Sequence, residues 1–402
     1  MVKTVNNTEI GRVFISETSS SVTDGKIRRI LFPDEYVAPQ QKLLLLQCFR
    51  GLAAFVVVLF HTSVIVRERT GMKFFWHYFR AGATGVDFFF VLSGFIIMWV
   101  HARDIGRPAS LGRYGWRRFV RVYPLYALCT LALIPIYFAG FGRADKIAAS
   151  SLLKSFLLLP FPSGQHPIIG QGWTLAHEFL FYLIFASCIV YGAKWALSIG
   201  AIFLAGSLVS TLAPLFDITI AGPYWVQHWL FSPYNLEFIG GCAAAGIVRS
   251  SPARIMRWFL PLGLALLAIV WTIPSQDINE VLIADDRLTS KMVLMFGIPY
   301  ILITIGAVAW ERHKPIKCPQ MLLKMGDATY SIYLTHFVII SALLAVLIRF
   351  YGTDRIDHAR PLLLVVIAAT ACIGYGVYRC LELPLLDRLR GMESQIVGKR
   401  KS

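Results

Sequence analysis

The sequence carries little charge for its length. Only 15% of its 402 residues are Asp, Glu, Lys or Arg, whereas 56% are hydrophobic. Soluble domains contain about 25% charged residues, and the mean hydropathy here is +0.61. Because the apolar residues stand in long blocks, the composition excludes an ordinary soluble protein and predicts a polytopic membrane protein. The formal net charge of +16 then reflects basic loops on one side of a membrane, and no nucleic-acid partner is expected.

Patterns that bind metals or form disulfides are also missing. None of the seven cysteines lies in a predicted outer loop, so no disulfide framework is expected. The pair His177-Glu178 resembles the start of an HExxH zinc motif, but Phe181 stands where the second histidine belongs. The sequence therefore predicts no metal site.

At the two ends of the chain we expect neither a cleavable signal peptide nor a separate soluble domain. Residues 1–42 are polar and rich in Ser and Thr, without the apolar stretch of a signal sequence. We expect a disordered cytoplasmic leader at 1–42, a transmembrane domain at 43–386, and a basic cytoplasmic tail at 387–402.

Hydrophobic blocks predict an all-α fold of about ten transmembrane helices. The blocks lie near 43–66, 85–100, 122–141, 173–191, 195–213, 235–248, 256–273, 292–310, 328–350 and 360–380. Two of them, 85–100 and 235–248, are shorter than the roughly 20 residues of a typical span. With the N-terminus inside, the inner segments hold 26 Lys and Arg and the outer loops 11. The positive-inside rule therefore predicts that both termini are cytoplasmic.

The first block contains two polar residues that are unusual in a span, Arg50 and His61. A charged side chain at membrane depth costs at least about 2.5 kcal/mol, so such a residue faces a polar cavity and has a function. The two residues are eleven positions apart, which places them on one helix face, roughly 16 Å apart along the axis.

Acidic residues are predicted in the outer half of the membrane, where His61 also lies. Asp87 is near the outer end of the second block, and Glu178 and Glu237 are in the outer parts of the fourth and sixth. Asp87 is either a partner that orients the imidazole or an interfacial helix cap. Glu178 and Glu237 could equally make ordinary bonds between helices.

The inner side is predicted to be cationic. Arg117, Arg118 and Arg121 precede the third block, and Arg118 and Arg121 are neighbours on a helix face. Arginines suit bidentate binding of phosphate, although inner-surface arginines often serve only topology. Tyr333 and Glu382 lie toward the same side.

A second histidine, His336, opens the ninth block and is as consistent with packing as with function. When the polar residues are sorted by predicted depth, the arginines form a cationic entrance on the inner side. An acid–base cluster lies further toward the outer side. This order suits an anionic cytoplasmic donor whose reactive end reaches an acceptor nearer the outer face.

The motifs together resemble the acyltransferase-3 family of membrane O-acyltransferases, in the branch that acetylates exopolysaccharides and related glycans. The resemblance runs from about 47 to 386. It rests on RGLAAFVVVLFH at 50–61, GVDFFFVLSGF at 85–95, RFVRVYP at 118–124, WTLAHEFLFY at 173–182, YSIYLTH at 330–336 and YRCLELP at 378–384.

The resemblance implies an enzyme of the bacterial inner membrane with ten core helices and no permanently bound cofactor. Its donor would be cytoplasmic acyl-CoA, with acetyl-CoA favoured. Its acceptor would be a sugar hydroxyl of a surface glycan or of a lipid-linked precursor, with polysaccharide assembly machinery as a possible partner. His61, Arg50 and the pair Arg118 and Arg121 fall on the family's motif positions.

Three departures from the family pattern are visible. Some members carry an acidic residue directly before the histidine, whereas this chain has Phe60. We also expect no esterase-like domain fused at the C-terminus, and this expectation favours direct transfer over a second acyl relay. The leader is also longer than usual.

The predicted site consists of a catalytic set and a donor-binding set. His61 is the expected general base, with a covalent acyl-histidine less favoured. The catalytic set is His61, Asp87 and Glu178, and the donor-binding set is Arg50, Arg117, Arg118, Arg121 and Tyr333.

Other functions stay open at this point. Intramembrane Arg, His and Glu also fit a transporter or flippase for a glycan or an anionic substrate, although no convincing internal repeat is present. A sensor without catalysis is a third interpretation. Within enzymes, the acceptor could instead be a lipochitooligosaccharide, a macrolide or a small sugar.

Overall fold

A computed structural model of the protein describes residues 43–74, 76–140, 144–162, 165–273, 286–353 and 360–393. The predicted leader at 1–42 and the last residues of the predicted tail lie outside the described residues. Within these ranges all regular elements are helices, and no strand occurs. The predicted all-α fold is confirmed.

Ten long helices form the described part of the fold. They are α1 (Leu44–Thr70), α2 (Gly85–His101), α3 (Leu111–Phe138), α4 (Gly172–Tyr191), α5 (Ala193–Leu212), α6 (Tyr234–Ser250), α7 (Phe259–Thr272), α8 (Asp286–His313), α9 (Thr329–Tyr351) and α10 (Arg360–Val377). Short α-helices lie at Trp76–Phe79, Ala149–Leu157, Ala253–Met256, Gln320–Asp327 and Leu383–Gly391. Single turns of π-helix lie at Val226–Leu230 and Tyr378–Glu382.

Nine helical segments of the described chain are long and apolar enough to cross a membrane. They include all of the long helices except α6, which has 17 residues and corresponds to the short block predicted at 235–248. The protein is therefore a multi-pass membrane protein, as its composition predicts. Helix α10 also continues through the π turn to Gly391, past the predicted boundary at 386.

Side-chain contacts join the ends of neighbouring helices into a layer at one end of the bundle. At one end Glu311 of α8 accepts hydrogen bonds from the backbone N–H groups of Leu44 and Leu45 at the start of α1. At the same end Arg312 donates to the carbonyl oxygen of Val248, close to the end of α6. We call this layer the basic end, because it corresponds to the arginine-rich side of the sequence.

Close backbone contacts hold the centre of the bundle together. Helices α2 and α6 cross where Gly94 faces Phe238 and Gly241 faces Val91, and a Cβ atom on either glycine would collide with a carbonyl oxygen. Such small-residue crossings are typical of membrane helices. Helix α7 lies at the periphery, where Gly263 is its only buried residue.

A candidate active site between the first and ninth helices

His61 lies midway along α1, against a second histidine from α9. The Nδ1 atom of His61 is 3.0 Å from the carbonyl oxygen of Val57, one turn earlier. It is also 3.1 Å from Nε2 of His336, and the two ring centroids are 4.8 Å apart. His336 is completely buried, whereas His61 keeps partial exposure. The first helix and the ninth thus meet at a histidine pair.

The hydrogen bonds assign a tautomer to each histidine of the pair. Nδ1 of His336 is 2.7 Å from the carbonyl oxygen of Tyr333. Because a carbonyl oxygen only accepts, this Nδ1 carries the proton and Nε2 of His336 is an acceptor. Nδ1 of His61 must then donate, both to Val57 and to His336. The lone pair of His61 Nε2 is left available, which is the arrangement that a general base requires.

An amide supports the histidine pair from α4. The Nε2 atom of Gln171, which immediately precedes α4, is 3.4 Å from Nε2 of His336, and Gln171 is buried. Tyr333, one turn before His336, shares a 3.0 Å hydrogen bond between its hydroxyl and that of Thr174. These contacts tie α9 to the start of α4 directly beside the pair.

Arg50 lies on the same helix as His61, toward the basic end. Its Nη1 atom donates to Oε1 of Gln47 at 3.0 Å, and the amide of Gln47 donates to Asp327 at 2.8 Å. Arg50 also interacts electrostatically with Arg121, Glu382 and Glu178. The expected polar face of α1 is therefore directed into the protein.

Arg121 reaches the same centre from α3. Its Nη1 atom forms a 2.6 Å ion pair with Oε1 of Glu382, whose other oxygen accepts a 2.6 Å hydrogen bond from Ser331. Glu382 is buried, at 1% exposure. It lies in the π turn after α10, and the wider turn carries the carboxylate toward α3 and α9.

The other two arginines of the predicted donor site are directed elsewhere. Arg117 is exposed and forms a 3.0 Å ion pair with Glu393 near the end of the described chain. Arg118 contacts Nε2 of His101 at 3.0 Å and lies near the rings of Tyr114 and Tyr182. The three arginines thus diverge, and only Arg121 joins the centre that contains Arg50.

Glu178 lies between the arginine centre and the groove beside α3. It accepts hydrogen bonds from the hydroxyl of Tyr182 at 2.5 Å and from that of Ser93 at 2.9 Å. No contact between Glu178 and His61 occurs among the described residues, although Glu178 interacts electrostatically with Arg50. Glu178 is therefore placed to balance the charge of Arg50 rather than to exchange a proton with His61.

The expected contact between Asp87 and His61 is not formed. The start of α2 packs on α1 through Gly85, which lies against Ala53 and Val57, but Asp87 makes no hydrogen bond to His61. Its carboxyl interacts instead with that of Glu237 on α6. Oδ1 of Asp87 and both carboxyl oxygens of Glu237 are buried and make no hydrogen bond within the described part of the chain.

The predicted site did not include His336, Gln171 or Glu382. His336 is three residues after Tyr333 on one helix face. This spacing is the sequence signal that could have placed His336 in the predicted site. Gln171 carries no such signal. The partnership of Glu382 with Arg121 joins positions 261 residues apart, and a single sequence contains no record of it.

Comparison with known proteins gives a consistent answer. A family model described as an acyltransferase domain, of the acyltransferase-3 family, matches residues 44–379. The chain is 27% identical over 349 residues to the exopolysaccharide production protein ExoZ of Rhizobium meliloti, which covers 83% of this chain and 96% of that one. It is 26% identical over 323 residues to the acyltransferase MdmB of Streptomyces mycarofaciens, covering 73% and 77%.

A third relative, protein 2 in the picA locus of Rhizobium radiobacter, is 27% identical over 192 residues, or 43% of this chain and 94% of that protein. No solved structure matches the chain. The family match spans the histidine pair and the arginine centre, and it sets aside the transporter and sensor interpretations. This multi-pass membrane protein is an acyltransferase and belongs to the acyltransferase-3 family.

Proposed function

We propose that this protein transfers an acetyl group from cytoplasmic acetyl-CoA to a sugar hydroxyl of a surface glycan, an exopolysaccharide or its lipid-linked precursor. The observation that carries the proposal is the histidine pair. In this pair the protonated Nδ1 of His61 donates to Val57 and to His336, and Nε2 of His61 is left available. The likeness to an exopolysaccharide production protein supports a glycan acceptor.

In the proposed reaction His61 Nε2 takes the proton of the acceptor hydroxyl. The hydroxyl oxygen attacks the thioester carbonyl, the carbon–sulfur bond breaks, and the thiolate of CoA recovers the proton from His61. General base catalysis of this kind contributes about 10²–10⁴-fold. Because Nδ1 of His61 stays bonded to Val57 and His336, the positive charge that develops on the imidazole faces two acceptors.

Arg50 and Arg121 are the proposed contacts for the anionic donor, since both face the centre from the basic end. Each keeps a neutral or acidic partner, Gln47 for Arg50 and Glu382 for Arg121, that orients its guanidinium. Tyr333 lies between this centre and the histidines and would contact the pantetheine arm. Arg117 and Arg118, which diverge from the centre, are not assigned to the donor.

We further propose that both termini face the cytoplasm and that the membrane is the bacterial inner membrane. The 26 inner and 11 outer Lys and Arg residues support this orientation. Reporter fusions at Ser402 and between positions 274 and 285, ahead of α8, are expected to report opposite compartments, with Ser402 in the cytoplasm. The same compartment from both would show that the number of membrane crossings between the two positions is even, and it would overturn the predicted depth order of the site residues.

Mass spectrometry of surface glycans tests the proposed function. Removal of the protein is expected to remove the mass increment of an acetyl ester from one glycan, and the parent chain should restore it. His61→Ala should not restore it at equal membrane abundance. An unchanged glycan after removal would contradict the proposal, and a different mass increment would identify a different acyl group. A modified lipochitooligosaccharide, macrolide or small sugar would identify an alternative acceptor.

A further inference from the structure

An apolar groove separates α3 from α4 on the outside of the bundle. Its volume is about 170 Å³, and it is lined by residues of both helices, chiefly Tyr114, Arg118, Val122, Leu175, Phe179 and Tyr182. At its rim Phe119 is 44% exposed, Phe179 39% and Leu183 53%. Large apolar side chains exposed on a membrane-spanning helix face lipid, so this groove opens sideways into the bilayer.

Arg118 is the one charged residue that lines the groove, and a relay of two side chains fixes its position. Nδ1 of His101 is 2.8 Å from Oδ2 of Asp104 and donates to it. Nε2 of His101 therefore accepts from Arg118 Nη2 at 3.0 Å. The guanidinium lies 6.0 Å from the ring centroid of Tyr114 and 5.6 Å from that of Tyr182. Histidine and two aromatic rings thus hold it at the floor of the groove.

The charge of Arg118 is not neutralised by an ion pair within the described residues. Arg117 and Arg121 each pair with a glutamate, whereas the contacts of Arg118 are neutral. Its Nε atom is buried and makes no hydrogen bond to any described residue. A guanidinium beside lipid is costly unless it meets an anion, and its planar donors match the oxygens of a phosphate.

The groove is connected to the proposed active centre. Tyr182, which lines the groove, donates its hydroxyl to Glu178 at 2.5 Å. Glu178 in turn accepts from Ser93 and interacts electrostatically with Arg50. A ligand held by Arg118 would therefore be separated from the arginine centre by a single layer of polar side chains.

We propose that the α3–α4 groove binds an anionic lipid, with the phosphate on Arg118 and the hydrocarbon chain along the apolar wall. The lipid carries the acceptor glycan, so the acceptor enters the enzyme from the bilayer. This inference rests on the proposed function and narrows it to an acceptor linked through a lipid phosphate. The apolar lining and the lateral opening favour a lipid over CoA, which approaches from water at the basic end.

A glycine in the groove allows a blocking test. Gly115 lines the groove and a Cβ atom added there meets nothing within 4 Å, so Gly115→Leu places a large apolar side chain in the groove without a clash at Cβ. Gly200 of α5 is a matched control, because a Cβ atom there also meets nothing within 4 Å. Leucine is a better helix former than glycine by about 0.8 kcal/mol, so both variants should fold.

The measurement is equilibrium binding of a long-chain isoprenyl phosphate to the purified full chain in detergent micelles, with the uncharged isoprenol as a comparison. The parent should prefer the phosphate by at least tenfold. Gly115→Leu should weaken binding at least tenfold and Gly200→Leu less than twofold. Arg118→Gln should remove the preference for phosphate without changing isoprenol binding. Equal binding by the two leucine variants, no preference for the phosphate, or competitive displacement by acetyl-CoA would each overturn the proposal.

Acyl transfer by the same preparations separates the two proposals. If transfer depends on His61 but Gly115→Leu binds the lipid normally, the groove inference fails alone. If no acetyl transfer is found while Gly115→Leu and Arg118→Gln lose lipid binding as expected, the lipid site stands and the proposed acceptor chemistry fails.

Discussion

Two pairs of chemically similar side chains lie inside this bundle. They differ in whether each pair leaves an accessible atom that can accept a proton. His61 and His336 point the same kind of group at each other, and so do Asp87 and Glu237. In the histidine pair each donor meets an acceptor, and one nitrogen of the half-buried His61 remains free. In the carboxyl pair both residues are at least 95% buried and three oxygens lack a hydrogen bond to any described residue.

The difference shows that an ionisable residue in a span indicates function only together with its hydrogen bonds. Both pairs follow from the general cost of burying polar groups. Orientation and access assign the base to the histidine pair, whereas the carboxyl pair joins α2 to α6 in the packed centre. The following predictions test this contrast in order of expected effect.

Among the residues around His61 and the two pairs, the largest effect is expected at His336. His336→Ala removes the acceptor of the His61 Nδ1–H group and should lower kcat about 100-fold, as a misplaced catalytic group does. The KM for acetyl-CoA should change little, because His336 lies away from the arginine centre. His336→Gln keeps an acceptor oxygen and should recover at least about tenfold of the loss. Equal kcat for the Ala and Gln variants would remove the positioning role of His336.

A smaller effect is expected at the ion pair of the arginine centre. Replacing Arg121 alone leaves Glu382 buried and unpaired, which is strongly destabilising, so the informative variant is the double change Arg121→Gln with Glu382→Gln. It should weaken acetyl-CoA binding about tenfold, since a charge-assisted bond contributes about 1.5–3 kcal/mol.

Arg117→Gln is the matched control for that measurement, because the pair of Arg117 with Glu393 is exposed. Surface ion pairs contribute about 0–1 kcal/mol, so acetyl-CoA should bind this variant within about twofold of the parent. If Arg117→Gln weakens binding as much as the double variant does, the donor lies on the outer surface of α3 instead.

The smallest effect is expected at the carboxyl pair. Glu237→Gln supplies an amide that can donate to the facing Asp87 carboxyl, and it should preserve acyl transfer within about threefold with an unchanged or higher melting temperature. Glu237→Ala should lower the melting temperature, because it leaves Asp87 without its facing group. A loss of activity in Glu237→Gln comparable to that of His61→Ala would place the carboxyl pair in the reaction.

The sequence was sufficient for the helices and for one face of the first helix. Long apolar blocks predict the spans, and the spacing of Arg50 and His61 predicts a polar face on α1, because both depend on local periodicity. Partnerships between distant helices could not be obtained in this way. Asp87 faces α6 rather than His61, and Arg118 turns toward His101 rather than Arg121, because packing angles between helices decide both.

Acetyl transfer by the purified enzyme tests the central claim most directly. The full chain is reconstituted in vesicles with acetyl-CoA and the glycan acceptor found in cells, and release of CoA is followed together with ester formation. The account predicts equal amounts of CoA and ester from the parent, and a rate at least about 100-fold lower from His61→Ala. Transfer by His61→Ala at the parent rate would contradict the claim that His61 is the base.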